Sequence, residues 1–292
     1  MLVKDKSFLL FGRCILKKVV LVLRAGLQET FFDKKIIVLL LIIGFIIDNG
    51  VRRMVNNALQ AGQPLGIFEG FIMCVNHWYY LIIFLVGFIF ILAGVPRLDS
   101  EQIFLIYRIG KKSWFFGEIL QVSFCAIIYI LLLFISSIAG CAKYCYIGNV
   151  WSNFTLYYKS DYEALLSDNN RFIDQQVFKY YSPYQSVLHC ILLLALCLTL
   201  MGTIILCFAI INKKLVGIIL NIIFILFVLI FSNYHAGVMW VSPFCHAVLA
   251  LHNIYVYKEL SVPIYYSYLY LIILEGIVIF FSLKQLKNKM FY

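Results

Sequence analysis

Long apolar runs recur along this chain, and they constrain its fold more than any other feature. They fall at about 32–51, 78–95, 114–140, 187–211, 215–231 and 264–283. Each is roughly 17–25 residues long, the length an α-helix needs to cross a bilayer and too long for a barrel strand. The first is the weakest, because its clean apolar core is short and Asp48 and Asn49 follow it. The chain is 63% hydrophobic and 13% charged, whereas a soluble domain has about 45–50% apolar and about 25% charged residues. The expected fold class is therefore all-α: a polytopic membrane protein of about six transmembrane helices in a single domain over 1–292.

The charge has a direction. The net charge is +10, but the basic residues sit beside apolar runs, where they set membrane orientation. That distribution argues against nucleic acid as a partner. Lysines and arginines crowd the N-terminal segment, the link after the second run (Arg97, Arg108, Lys111, Lys112), the link after the fourth (Lys213, Lys214) and the tail (Lys284, Lys287, Lys289). The opposite side is sparser. Both termini are thus expected on the cytoplasmic side of a multi-pass cell-membrane protein. The run at Phe8–Phe11 is cut short by Arg13 and no small-residue cleavage site follows, so no signal peptide is expected.

Residues 1–31 carry their own pattern. Lys6, Arg13, Lys17, Arg24 and Gln28 lie at spacings of seven, four, seven and four. At about 100° per residue they form one narrow stripe. This predicts an amphipathic helix lying in the inner interface, its basic stripe toward water and anionic lipid headgroups.

The polar interlude at 96–117 is patterned like a small helix. Asp99 followed by Gln102 reads as a capping box, Gly110 as a helix C-cap, and Ser113 as a cap for the next helix. On the other side, 141–186 is the longest polar segment and is expected to form a small helical cap. Segment 232–263 stays apolar (Trp240, Val241, Phe244, Val248, Leu251) without forming a regular span. An apolar yet interrupted segment at a membrane edge predicts a re-entrant or interface-lying helix. Of the nine cysteines, only Cys141 and Cys145 are a close pair, open either to a disulfide or to two free thiols. Asn153-Phe-Thr155 matches a glycosylation sequon, which matters only in a eukaryotic secretory pathway.

Catalytic patterns are missing. Gly110-Lys-Lys-Ser113 lacks the upstream glycine of a phosphate loop and follows no strand. Neither a zinc helix motif nor a nucleophile elbow occurs. The five histidines lack ligand spacing, and His246 and His252, six apart, would fall on different faces of a helix. No catalytic or metal-binding residue is expected. Glu275 is the one carboxylate deep in a span, so it should face the bundle interior or a wet cavity, near Asn221 if those spans touch. It reads either as a pathway contact or as a hydrogen-bonded packing residue. The aromatic clusters at His77–Tyr80 and Tyr265–Tyr268 fit interface anchoring.

An interfacial N-terminal helix, about six spans and a basic helix after the second span together resemble the membrane subunit of a type-2 ABC transporter. Ser100-Glu101 opening a helix, Arg108-x-Gly110-x-x-x-Trp114-x-x-Gly117 leading into the third span, and Ser242-Pro243-Phe244-Cys245-His246-Ala247 before the last are similar to that family. The resemblance implies that 99–110 is a coupling helix, with Asp99, Glu101, Arg108 and Gly110 meeting a separate ABC ATPase subunit. It also implies a second permease subunit, identical or homologous. The chain would hold no cofactor, ATP being bound by the partner, and would act as an exporter rather than an enzyme. The 141–186 segment is longer than in simpler members, so the cargo is not carried over. Two other classes remain: a proton-coupled secondary transporter using Glu275, and a membrane scaffold or enzyme. Richness in Ile, Phe, Tyr and Lys with few Pro points to an AT-rich, bacterial genome.

Overall fold

The computed structural model describes residues 17–28, 30, 35–96, 100–157, 172–234, 240–252 and 262–288. Nearly all of the described regular structure is helical. Helix α1 covers 17–28. Then α2 (Lys35–Ile46), a π-helical segment (Ile47–Arg52) and α3 (Arg53–Gln60) form one run without leaving helical backbone angles. This helix continues well past the expected end at 51. Asp48 pairs with Arg52 one turn on, which supports the helix locally where its apolar core runs out.

The second run is preceded by a bend. Helix α4 (Glu69–Asn76) meets α5 (Trp78–Leu92) at 80°. His77 takes an extended conformation between them, and Asn76 Nδ2 folds back to donate to Ile72 O at 2.8 Å. Helix α6 (Ser100–Ile109) and α7 (Lys111–Cys141) are joined through Gly110 alone. Short α8 (Asn153–Tyr157) and α9 (Gln175–Tyr180) lie between α7 and α10 (Pro183–Ile210). Helix α11 (Lys214–Tyr234) and α12 (Ile264–Asn288) complete the order. One departure from all-α is a parallel pair, β1 (Leu65–Gly66) with β2 (Cys145–Tyr146).

Three helices, α7, α10 and α12, are long and apolar enough to cross a membrane, and the bent α4–α5 pair makes a fourth if it counts as one span. The apolar part of α11 and the 12 residues of α2 fall short. Helices therefore stand where all six spans were expected, but length and apolarity qualify only these.

Helix α10 is the centre. A capping box starts it: Gln185 N donates to Ser182 Oγ and Ser182 N to Gln185 Oε1, with Pro183 in the first turn. It packs against α4, α5, α7, α11 and α12. In its apolar window 61% is buried, against 11% in α12, so α12 lies at the periphery with most of its surface outward. Tyr129 of α7 stacks on Phe84 of α5 at 4.0 Å, and its hydroxyl donates to Phe84 O at 3.0 Å.

The described parts of the segment after α7 form turns and short helices, and Ser152 and Thr155 bond to Glu69 of α4. Cys141 and Cys145 are both free thiols. In 240–252 the chain makes two 3-10 turns, Cys245–Ala247 and Leu249–Leu251, where a helix was expected. Nearly all of this stretch is buried against α10, α11 and α9, and Asn76 Oδ1 accepts from Ala250 N at 3.0 Å.

Candidate functional site

Helix α6 is the element best placed to act. Nothing in Ser100–Ile109 breaks a helix, and its apolar positions recur at three-residue steps. Ile106 and Ile109 are buried, and Ile103 packs beside them. They join Trp114 and Phe115 of α7, Leu206 and Ile210 of α10, Leu286 of α12 and Val22 of α1 in a second apolar core, separate from the main one. One short helix is thereby seated on the ends of three long ones.

The opposite face is open. Phe104 is 76% exposed and Tyr107 65%, with Arg108 exposed beside them. At spacings of three and four these side chains share one face. Leaving two aromatic rings in water is unfavourable by about 25 cal/mol per Å² of apolar surface, so covering this face is favourable.

Gly110 makes the joint. Its φ is +96°, a conformation L side chains rarely adopt. Its N–H donates to Ile106 O at 2.8 Å, closing α6, and its C=O accepts from Trp114 N at 3.1 Å, opening α7. The expected α6 C-cap is thus also the N-cap of α7, and Ser113 lies inside α7 instead of capping it. Beside the joint is a cavity of about 420 Å³ lined by Gly110–Ser113 and by Leu283, Leu286 and Lys287 of α12. Gly110→Ala is expected to cost about 1–3 kcal/mol through this backbone strain alone, read as a lowered unfolding temperature in detergent; no change would show that the joint can relax.

The other expected residues are placed as follows. Asp99, Lys6 and Arg13 lie outside the described residues. Glu101 falls within α6. Lys17 and Arg24 are exposed on α1, which is tied to α7 through Gln121 Nε2 donating to Thr30 Oγ1 at 3.2 Å. Glu275 Oε2 accepts from Thr199 Oγ1 of α10 at 3.4 Å. Asn221 Nδ2 donates to Met201 O at 3.2 Å and Gly217 O at 3.0 Å. Thr199 and Met201 are two residues apart, about 200° around α10. Glu275 and Asn221 are therefore held on opposite sides of one helix and do not form a joint site.

Two features escaped the sequence reading. Phe104 and Tyr107 were visible as aromatics out of phase with the apolar stripe Ile103, Ile106 and Ile109. His246 and His252 were assigned to different helix faces, yet the structure brings both onto Ser267 of α12, because the segment carrying them is not a helix. No protein-family model, no curated protein and no solved structure matches this chain.

Proposed function

We propose that the chain is the membrane-spanning subunit of an ATP-binding-cassette exporter, driven by a separate ATPase through α6. The observation that carries this reading is the two-faced seating of α6. Its inner face rests on the ends of α7, α10 and α12, while Phe104, Tyr107 and Arg108 face outward. A load applied to the outer face passes to three long helices through packed side chains, which are stiff against small displacements. Nucleotide-driven closure of a partner would tilt those helices about α10. A second permease subunit would complete the pathway.

The finer topology belongs to the same reading. The run from α2 to α3, the bent α4–α5 pair and α11 act as crossings alongside α7, α10 and α12, giving about six. Helix α1 lies in the inner interface with Lys17 and Arg24 toward headgroups. Both termini and α6 are placed on the cytoplasmic side in this reading, in keeping with the distribution of lysine and arginine. In this reading Glu275, which accepts from Thr199 Oγ1 at 3.4 Å, is taken as a packing residue, and coupling does not use it.

The test is co-purification of tagged chain from its native membrane with a nucleotide-hydrolysing subunit that carries a phosphate loop. Phe104→Ala combined with Tyr107→Ala, and separately Arg108→Ala, are expected to reduce its recovery at least about ten-fold, a loss of about 1.4 kcal/mol in binding. Their exposed positions leave insertion and folding intact. Absence of such a subunit, or unchanged recovery and ATP hydrolysis in the variants, would sink the assignment.

A further inference from the structure

Segment 240–252 is joined to α12 by a hydrogen-bond chain that the coupling mechanism does not use. His246 Nδ1 lies 2.8 Å from Ser267 Oγ, and His252 Nε2 lies 2.7 Å from the same oxygen. The outer ring nitrogens reach backbone carbonyls. His246 Nε2 is 3.0 Å from Trp240 O and His252 Nδ1 is 3.1 Å from Val248 O. All three side chains are fully buried.

Counting hydrogens in this chain gives an unequal answer. A carbonyl oxygen only accepts, so both outer nitrogens must carry hydrogen. A neutral imidazole has a single N–H, so both inner nitrogens are then acceptors facing one hydroxyl. Ser267 has one hydrogen and satisfies one of them. Four contacts are present and the neutral residues supply three hydrogens. A further proton on either inner nitrogen closes the chain: that ring becomes imidazolium and donates at both ends, and Ser267 accepts from it while donating to the other ring.

We propose that His246, Ser267 and His252 form a proton-binding site that holds one proton beyond those of the neutral residues, shared between the two imidazoles.

The surroundings fit a single shared positive charge. The Trp240 ring lies 5.5 Å from each imidazole, and Tyr270 stacks on His246 at 4.5 Å. Aromatic faces of this kind favour a cation, as do the two carbonyl dipoles. Burial acts the other way and is the main reason both rings are pushed down to about 4, a value to which repulsion from His246 and His189 contributes in the case of His252. That mutual repulsion excludes a second proton while leaving room for one. The neighbouring titratable groups are His189, Cys190 and Cys197 on α10, Tyr266, Tyr268 and Tyr270 on α12, and Cys245 in the segment itself. His189 is occupied by the Tyr268 hydroxyl at 2.9 Å. From α4 comes the Asn76 amide, which holds Ala250 N; Tyr181, the residue after α9, meets the ring of His189, and Phe224 of α11 meets Phe244 of the segment. Among the described residues, no carboxylate or ammonium acts on either ring.

Losing the proton leaves two acceptor nitrogens competing for one hydroxyl hydrogen, so one contact opens and the tie to α12 loosens. The folded and unfolded chains differ in protonation at these rings between about 4 and 6.5, the ordinary histidine value. Below 6.5 the unfolded chain binds more protons than the folded one, so stability falls as pH drops toward 4. The shared proton makes that fall shallower than it is without the serine.

The experiment uses the full chain in nanodiscs with ¹⁵N-labelled histidine, titrated from pH 7 to 4. Ring-nitrogen signals should show one imidazole of the pair protonated at both nitrogens while the other stays neutral. Ser267→Ala keeps both carbonyl bonds and removes the demand for a fourth hydrogen, so its first protonation should move down by about one pH unit, the equivalent of one buried hydrogen bond. Two neutral rings in the unsubstituted protein down to pH 4 would overturn the proposal. So would two rings protonating together, or identical titrations with and without the serine. If Ser267→Ala fails to fold, the unsubstituted spectrum alone decides.

Discussion

Glu69→Ala is expected to destabilise the protein by about 3–5 kcal/mol, the cost of breaking a buried charged network. Glu69 opens α4 and its carboxylate is fully buried. Oε1 accepts from Ser152 N at 2.7 Å. Oε2 accepts from Ser152 Oγ at 2.7 Å and from Thr155 Oγ1 at 2.8 Å. Ser152 Oγ in turn accepts from Thr155 N at 3.1 Å, capping α8. One side chain therefore joins α4 to the segment after α7, beside the β1–β2 pair. Alanine removes the carboxylate acceptor of three donors in a buried site, and each unmade buried bond costs about 1–3 kcal/mol. Glu69→Gln keeps one acceptor oxygen and the shape, while the hydroxyls can turn to accept from its amide. Its cost should be smaller, about 1–2 kcal/mol. Unfolding in detergent measures the ordering, and limited proteolysis of the outer segment reports the same release. Equal costs for the two substitutions would show that volume, not hydrogen bonding, is what Glu69 supplies.

Glu69 also shows what the sequence concealed. Leu65-Gly-Ile-Phe-Glu69-Gly-Phe-Ile-Met-Cys-Val75 is an apolar stretch with one acid in it. The logic that singles out Glu275 applies equally here, but this stretch lies outside the six apolar runs. Helix positions were legible because roughly 20-residue apolar periodicity is a long-range signal. Ends were less so. The run from α2 to α3 continues to Gln60, with Asp48 and Arg52 paired within it, and α7 starts at Lys111 because Gly110 serves both helices. The bend at His77 follows from no proline or glycine, and a strand pair of two residues is too short to leave a pattern. Within the candidate site, the α6 helix and its Gly110 joint were readable from local chemistry. The shared hold of Ser267 on His246 and His252 was not, since it depends on 3-10 turns bringing together residues from two separate elements.

The second large effect is expected where Gly202 of α10 packs against Val122 of α7. A methyl group added at Gly202 would overlap Val122 Cγ1 and come within 3.1 Å of its Cγ2. Both residues are buried in the main core. Valine is stiff at χ1, and its Cβ, at 3.2 Å, is also in the way, so rotation alone does not clear the space. Gly276 of α12 is the internal control, because nothing lies within 4 Å of a methyl group there. In a helix, Gly→Ala ordinarily stabilises by about 0.5–1 kcal/mol, and Gly276→Ala should do so. Gly202→Ala should reverse that sign, and Gly202→Leu should cost about 3 kcal/mol, the upper end for overpacking. Val122→Ala opens the space that the new methyl needs, so the pair Gly202→Ala with Val122→Ala should lose less than the sum of the single losses. A double-mutant cycle from unfolding in detergent gives that interaction directly. Additive losses would mean that α7 and α10 separate freely at this point. A load entering through α6 would then reach α10 only through Leu206 and Ile210 at its far end, and α10 could not serve as the pivot for α7.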